Sequence, residues 1–116
     1  MQFQHAILSA AVAGVTEGAA AVVALTGRLD AAGAAEAERR LIALAGPRLL
    51  VADLAEVAEA DASGLRALLR VAKRIQAEGG RFALCGLAGA VAALFEQSGF
   101  GAVIATHPGR ADALAA

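Results

Sequence analysis

The chain has no tryptophan or tyrosine, four phenylalanines, one cysteine and two histidines in 116 residues. Each shortage excludes a class of function. A lone thiol, Cys85, can form neither an internal disulfide nor a cysteine-rich metal cluster. With only His5 and His107 beside it, a structural zinc site has too few ligands. Scarce aromatics leave single-stranded nucleic acid without stacking platforms. Basic excess is missing as well: 10 Lys and Arg against 11 Asp and Glu give a net charge of −1 and a pI of about 6.1. Nucleic-acid backbone binding releases counterions from a basic surface, so no nucleic acid partner is expected. Glu17, Arg28 and Asp30 interrupt the longest apolar stretch, so no run reaches the roughly 18–20 residues that span a bilayer. The opening Met1-Gln2-Phe3-Gln4-His5 lacks the basic start and continuous apolar run of a secretory leader. A cytoplasmic protein without membrane insertion is the expectation.

Cofactor and catalytic motifs are also missing. Gly79-Gly80 is not part of a phosphate loop ending in Lys-Ser/Thr, and no Gly-x-Gly-x-x-Gly opens a helix. The carboxylates are scattered rather than paired. No cofactor, no metal and no catalytic residue is therefore expected, and the chain reads as a binding module, not an enzyme.

What the sequence has is apolar residue in quantity. Hydrophobic residues make up 59% of the chain and charged residues 18%, which suits one soluble domain over residues 1–116 with a single core. Residues 6–12 and 20–26 read as strands joined by a glycine-bearing connection at 13–18, a hairpin. Val22-Val23-Ala24-Leu25 is uninterrupted, as expected of a strand buried on both faces. Ala34, Ala37, Leu41 and Leu44 recur at helical spacing within 31–45, and Gly46-Pro47 ends that helix. A strand at 49–53 leads through a short acidic connection to a helix at 62–77. Leu65, Leu68, Leu69, Ala72 and Ile75 form its apolar stripe, and Arg66, Arg70, Lys73 and Arg74 share another side. A strand at 81–85 follows, then a helix at 88–98 with Val91, Leu94 and Phe95 turned inward. A short strand at 102–105 and a helix at 108–114 complete the order β-β-α-β-α-β-α-β-α. Alternation after the hairpin calls for parallel strands and right-handed crossovers. The fold class is α/β, a mixed four- to five-stranded sheet packed against about four helices.

The most informative stretch is 49–65, where a strand runs towards Asp61-Ala62-Ser63-Gly64-Leu65 at a helix start. Unpaired N–H groups and the positive end of the helix dipole gather there, and Asp61 is placed to cap by accepting from the N–H of Ser63 or Gly64. On mechanics alone this is either an ordinary helix start or a recognition surface. Asp30 carries the same two readings, as cap of the first helix and as docking residue. The order of Gly27-Arg28-Leu29-Asp30 and then Asp61-Ala62-Ser63-Gly64-Leu65, each on its expected element, resembles the STAS domain of bacterial anti-sigma factor antagonists over nearly the whole chain. That family carries Gly-x-Leu-Asp at an early strand end and Asp-Ser-Ser-Gly-Leu after the central strand.

The resemblance implies a protein that binds an anti-sigma factor with a histidine-kinase-like ATPase fold and thereby frees a sigma factor. The implied partner-binding residues are Asp30, Asp61, Ala62, Ser63, Gly64, Leu65 and Arg66. In switchable members a serine directly following the Asp is phosphorylated. Ala62 holds that position here and has no hydroxyl, so Ser63 is the remaining phosphoacceptor candidate, and a permanently binding-competent form is the preferred reading. The alternative within the family is a STAS subunit of a larger assembly, such as a lipid-transport ATPase complex or a stress-signalling scaffold. A homodimer through the alanine-rich surface is open. The basic side of the 62–77 helix reads as a solvated face or part of that docking surface, Cys85 as a buried small hydrophobe, and His107 as a loop residue rather than a catalyst.

Overall fold

The computed structural model describes residues 2–7, 20–44 and 46–115. Its centre is β2 (Ala21–Leu29) lying parallel to β3 (Leu49–Ala60). Over residues 21–25 and 50–52 the two strands are runs of buried Val, Leu and Ala, covered on both faces. β1 (Gln2–Ile7) pairs antiparallel with β2, from Gln2 opposite Thr26 to Ile7 opposite Ala21. On the other side, β3 pairs in parallel with β4 (Arg81–Cys85), and β4 with β5 (Ala105–His107). The sheet order is β1-β2-β3-β4-β5.

Every parallel step moves the chain one strand in the same direction. Right-handed crossovers then put all three connecting helices on one face. These are α1 (Ala31–Ile42), α2 (Ala62–Ala77) and α3 (Gly89–Ser98). Leu41 of α1, Leu68 and Ile75 of α2, and Val91 and Phe95 of α3 join Val23, Leu25, Leu50, Leu54 and Leu84 in one buried core. α4 (Arg110–Ala115) lies on the opposite face, where Ala113 and Leu114 pack with Val22, Val51 and Cys85.

The element order matches the sequence expectation, and α2 and β4 fall where periodicity put them. The expected strand at 6–12 is β1 at Gln2–Ile7, and its later part lies outside the described residues, as does the connection at 13–18. The acidic connection after residue 53 is instead the second half of β3, which continues to Ala60. α1 stops at Ile42, ahead of Gly46. The last strand begins at Ala105, because left-handed Gly99 (φ 75°) starts a 3-10 turn at Phe100–Ala102 and delays it.

Candidate functional site

The two sequence motifs meet in space because β2 and β3 are parallel neighbours that end together, with Leu29 opposite Ala60. Each strand hands over to a helix within one residue, so the N-termini of α1 and α2 lie side by side. Asp30 caps α1: its Oδ1 accepts from the Gly33 N–H at 3.0 Å. Asp61 caps α2, Oδ1 accepting from the Gly64 N–H at 3.0 Å. The second oxygen of Asp61 accepts from the Ala31 N–H of the other helix at 3.3 Å. One carboxylate therefore ties both helix starts together. The Asp61 N–H completes the knot by donating to the Leu29 carbonyl at 3.2 Å. The capping expected of both aspartates is present, and side chains accept from three N–H groups at these helix starts, those of Ala31, Gly33 and Gly64.

Gly64 is buried, and a Cβ there would lie 2.0 Å from the Leu29 carbonyl oxygen. This glycine lets α2 start directly against the end of β2. Gly27, at φ 94°, sits next to an irregular step in the β2–β3 register, where only glycine adopts the backbone without strain. The two glycines of the motifs thus shape the knuckle, and its aspartates fasten it.

The remaining site residues divide by exposure. Leu65 is buried in the core, so of the seven residues expected to meet a partner, Gly64 and Leu65 act from beneath. Asp61, Ala62 and Arg66 are exposed, and Asp30 and Ser63 are half-buried. Ser63 lines a 330 Å³ groove between α1 and α2 together with Ala31, Ala34, Ala35, Glu38, Arg66 and Arg70. A second cavity of 210 Å³ opens between α2 and α3, lined by Ala62, Leu65, Arg66, Leu94, Gln97, Ser98 and Phe100. Arg66 borders both.

The basic side of α2 is not uniformly free. Arg70 pairs with Glu38 of α1 at 2.8 Å, and Arg74 with Glu78 at 2.5 Å, which fits the solvated-face reading for those two. Among the described residues Arg66 has no ion-pair partner. Leu94 meets expectation in part: Val91 and Phe95 are buried, and Leu94 packs against the core while half-exposed at the mouth of the second cavity. The sequence signal for it is a helix, Gly-Ala-Val-Ala-Ala-Leu-Phe, whose apolar residues exceed one face.

Cys85 is fully buried, as expected. Burial first, and the neighbouring Asp53 carboxylate second, push its thiol from 9.0 up to about 11. A raised folded-state pKa means that the folded chain keeps a proton the unfolded chain gives up. The associated stability is complete below pH 9 and is lost as pH rises towards 11. Stability of the parent chain should therefore fall more steeply over that window than that of Cys85→Ala, measured by urea unfolding at successive pH values; parallel curves would refute the assignment. His107 is not a loop residue but the end of β5, opposite Cys85, and its carbonyl accepts from the Gly86 N–H at 3.3 Å. Among the described residues, no cluster of three or more His, Cys, Asp or Glu could hold a metal, and no helix is long and apolar enough to cross a membrane.

A one-way-wound mixed sheet with paired helix starts at the ends of β2 and β3 defines a class of small α/β domain. The chain belongs to the STAS domain family, whose model matches residues 10–113. No curated protein sequence matches it. Solved structures share the fold at low identity. An anti-sigma factor antagonist from Mycobacterium paratuberculosis is 21% identical, with TM-score 0.76 over 98% of this chain and 92% of the other. An anti-sigma-factor antagonist (STAS) domain protein from Planctomyces limnophilus is 23% identical, with TM-score 0.73 over 83% and 88%. The murine Solute Carrier 26 family member A9 anion transporter is similar too, at 19% identity and TM-score 0.73; 83% of this chain matches only 17% of the transporter.

Proposed function

We propose that this protein is an anti-sigma factor antagonist, a binding module without turnover that engages a cytoplasmic anti-sigma factor of histidine-kinase-like ATPase fold and so frees a sigma factor. The observation that carries the reading is the exposed start of α2, where Asp61 and Ala62 face outward and Arg66, which has no ion-pair partner among the described residues, borders two grooves. A partner laid across it would set an apolar side chain against Leu94 and Phe100 and an acidic one against Arg66. Few such contacts dominate an interface: a central apolar anchor and an Arg are the usual pair. The antagonist fold neighbours support the same reading.

Phosphorylation is not part of this proposal. Ala62 supplies no hydroxyl, and Ser63 is half-buried in the α1–α2 groove, whose lining includes Glu38. That groove also holds Arg66 and Arg70, so what disfavours a phosphate on Ser63 is the restricted access of its half-buried hydroxyl and not the charge around it. The protein is then permanently competent to bind.

Retention of a kinase-type anti-sigma factor in a pull-down, followed by titration calorimetry, tests the proposal. Arg66→Glu alters an exposed position and should weaken binding at least 30-fold with an unchanged unfolding midpoint, and Leu94→Asp should weaken it as much while lowering the midpoint, because Leu94 also packs against the core. Undiminished binding by both variants would place the interface elsewhere. The second reading is a STAS subunit of a larger transport or scaffold assembly. It draws on the missing hydroxyl at Ala62 and on the likeness to a segment of an anion transporter. Co-purification with a transport ATPase in place of a kinase-like partner would favour it.

A further inference from the structure

The second face of the sheet is covered differently from the first. Three helices seal one side, whereas on the other a six-residue helix, α4, packs Ala113 and Leu114 onto Val22, Val51 and Cys85. A helix of that length has no stability of its own, since nucleation fixes several residues for the first hydrogen bond. Its order therefore depends on docking. The docking is fastened at its first residue, where Arg110 Nε donates to Asp53 Oδ2 at 2.5 Å. Asp53 is held for this contact: Oδ1 accepts from the Ala55 N–H at 3.0 Å, and the same oxygen would lie 2.8 Å from a Cβ placed on Gly86. The carboxylate is largely shielded, at 13% side-chain exposure, while Arg110 is 49% exposed. The latch thus has a fixed half on the sheet and a solvent-facing half on the helix.

We propose that α4 is a strap, latched by Arg110 and Asp53, that lifts from the sheet and re-seats while the rest of the domain stays folded, uncovering Cys85 and the apolar face around Val22 and Val51. Sub-global openings of this kind occur where few apolar contacts hold an element. An acidic side chain or anion that captures Arg110 would hold the strap open, and added salt would loosen the latch by screening it.

Alkylation of Cys85 by neutral iodoacetamide at constant pH 8 provides the test, because the closed strap buries the thiol and reactivity requires an accessible thiolate. If the strap never lifted, alkylation would proceed only through global unfolding and its rate would change between variants by no more than their difference in unfolding stability; if the latch controls opening, Arg110→Ala will accelerate alkylation at least tenfold beyond that difference. Arg110→Lys, which keeps a cation at the latch, should stay within about threefold of the parent. Independently of any variant, the parent's alkylation rate should be nearly insensitive to urea below the unfolding transition, because opening exposes little surface. A rate in Arg110→Ala that rises no further than its difference in unfolding stability, or a parent rate with the urea slope of global unfolding, would overturn the proposal.

Discussion

Gly64→Ala should cost about 3 kcal/mol, the upper end of what overpacking exacts, and lower the melting temperature by roughly 12–20 °C. One methyl group has so large an effect because of what it meets. The added Cβ would fall 2.0 Å from the Leu29 carbonyl oxygen and 2.8 Å from the carbonyl carbon. That backbone cannot swing aside as a flexible side chain would. The oxygen is engaged by the Asp61 N–H, and Leu29 is fully buried at the end of β2. Relief requires α2 to back away from the sheet, which stretches the Asp61 bridge to Ala31 and loosens the seat of Leu65 and Leu68. Gly46→Ala is the matched control: nothing lies within 4 Å of its added Cβ and its φ is not positive. There the substitution should be neutral or stabilising by about 0.4–1 kcal/mol through the unfolded chain. Urea unfolding of the two variants side by side decides the point, and a loss under about 1 kcal/mol for Gly64→Ala would mean that the close approach is not what the glycine serves. The same geometry makes Gly64 a poor position for probing partner contact, since any side chain there disturbs the fold before it reaches a partner.

The knuckle was legible in the sequence because its chemistry is local. Aspartate at a helix start, glycine three residues on and an apolar run beyond are read from spacing alone, and both caps are where spacing put them. That Asp61 also holds Ala31 was not legible, since 30 residues separate the two and only the parallel ends of β2 and β3 join them. The second half of β3 was missed for a different reason. Its buried residues, Leu54 and Val57, are three apart rather than two, with exposed Ala55 and Glu56 between. Two register shifts against β2, at Ala24/Thr26 and Gly27/Arg28, insert extra residues in β3 and break the alternation that marks a strand. Helical spacing turns Leu94 inward, and it does pack against the core, but spacing cannot tell a fully covered position from the lip of a cavity when the whole helix is apolar. Its position depends on the gap between α2 and α3, a tertiary fact.

Ala62→Ser should convert a constant binder into a switchable one. Ala62 is the first residue of α2 and is exposed, so a hydroxyl there fits without strain and lies open to an enzyme. Incubated with a kinase-type anti-sigma factor and ATP, the variant should take up phosphate at the new hydroxyl, while the parent chain takes up none at Ser63. Phosphate brings about −1.5 to −2 charges. The start of α2 favours that charge by up to about 1–2 kcal/mol, so the fold tolerates it. The neighbouring Asp61 carboxylate and any acidic group that a partner presents to Arg66 oppose it. At an effective dielectric near 20, a like charge about 6 Å away costs roughly 3 kcal/mol before screening, and each 1.4 kcal/mol is tenfold in affinity. Partner binding should therefore fall by about 10- to 100-fold on phosphorylation, and less at high salt. Ala62→Glu, which needs no kinase, should reproduce at least a tenfold loss with an unfolding midpoint close to that of the parent. Stoichiometric phosphate on Ser63 of the parent chain would contradict the permanently competent reading. Full affinity in both Ala62→Glu and the phosphorylated variant would show that the partner does not approach the start of α2, because charge placed there could not then go unnoticed.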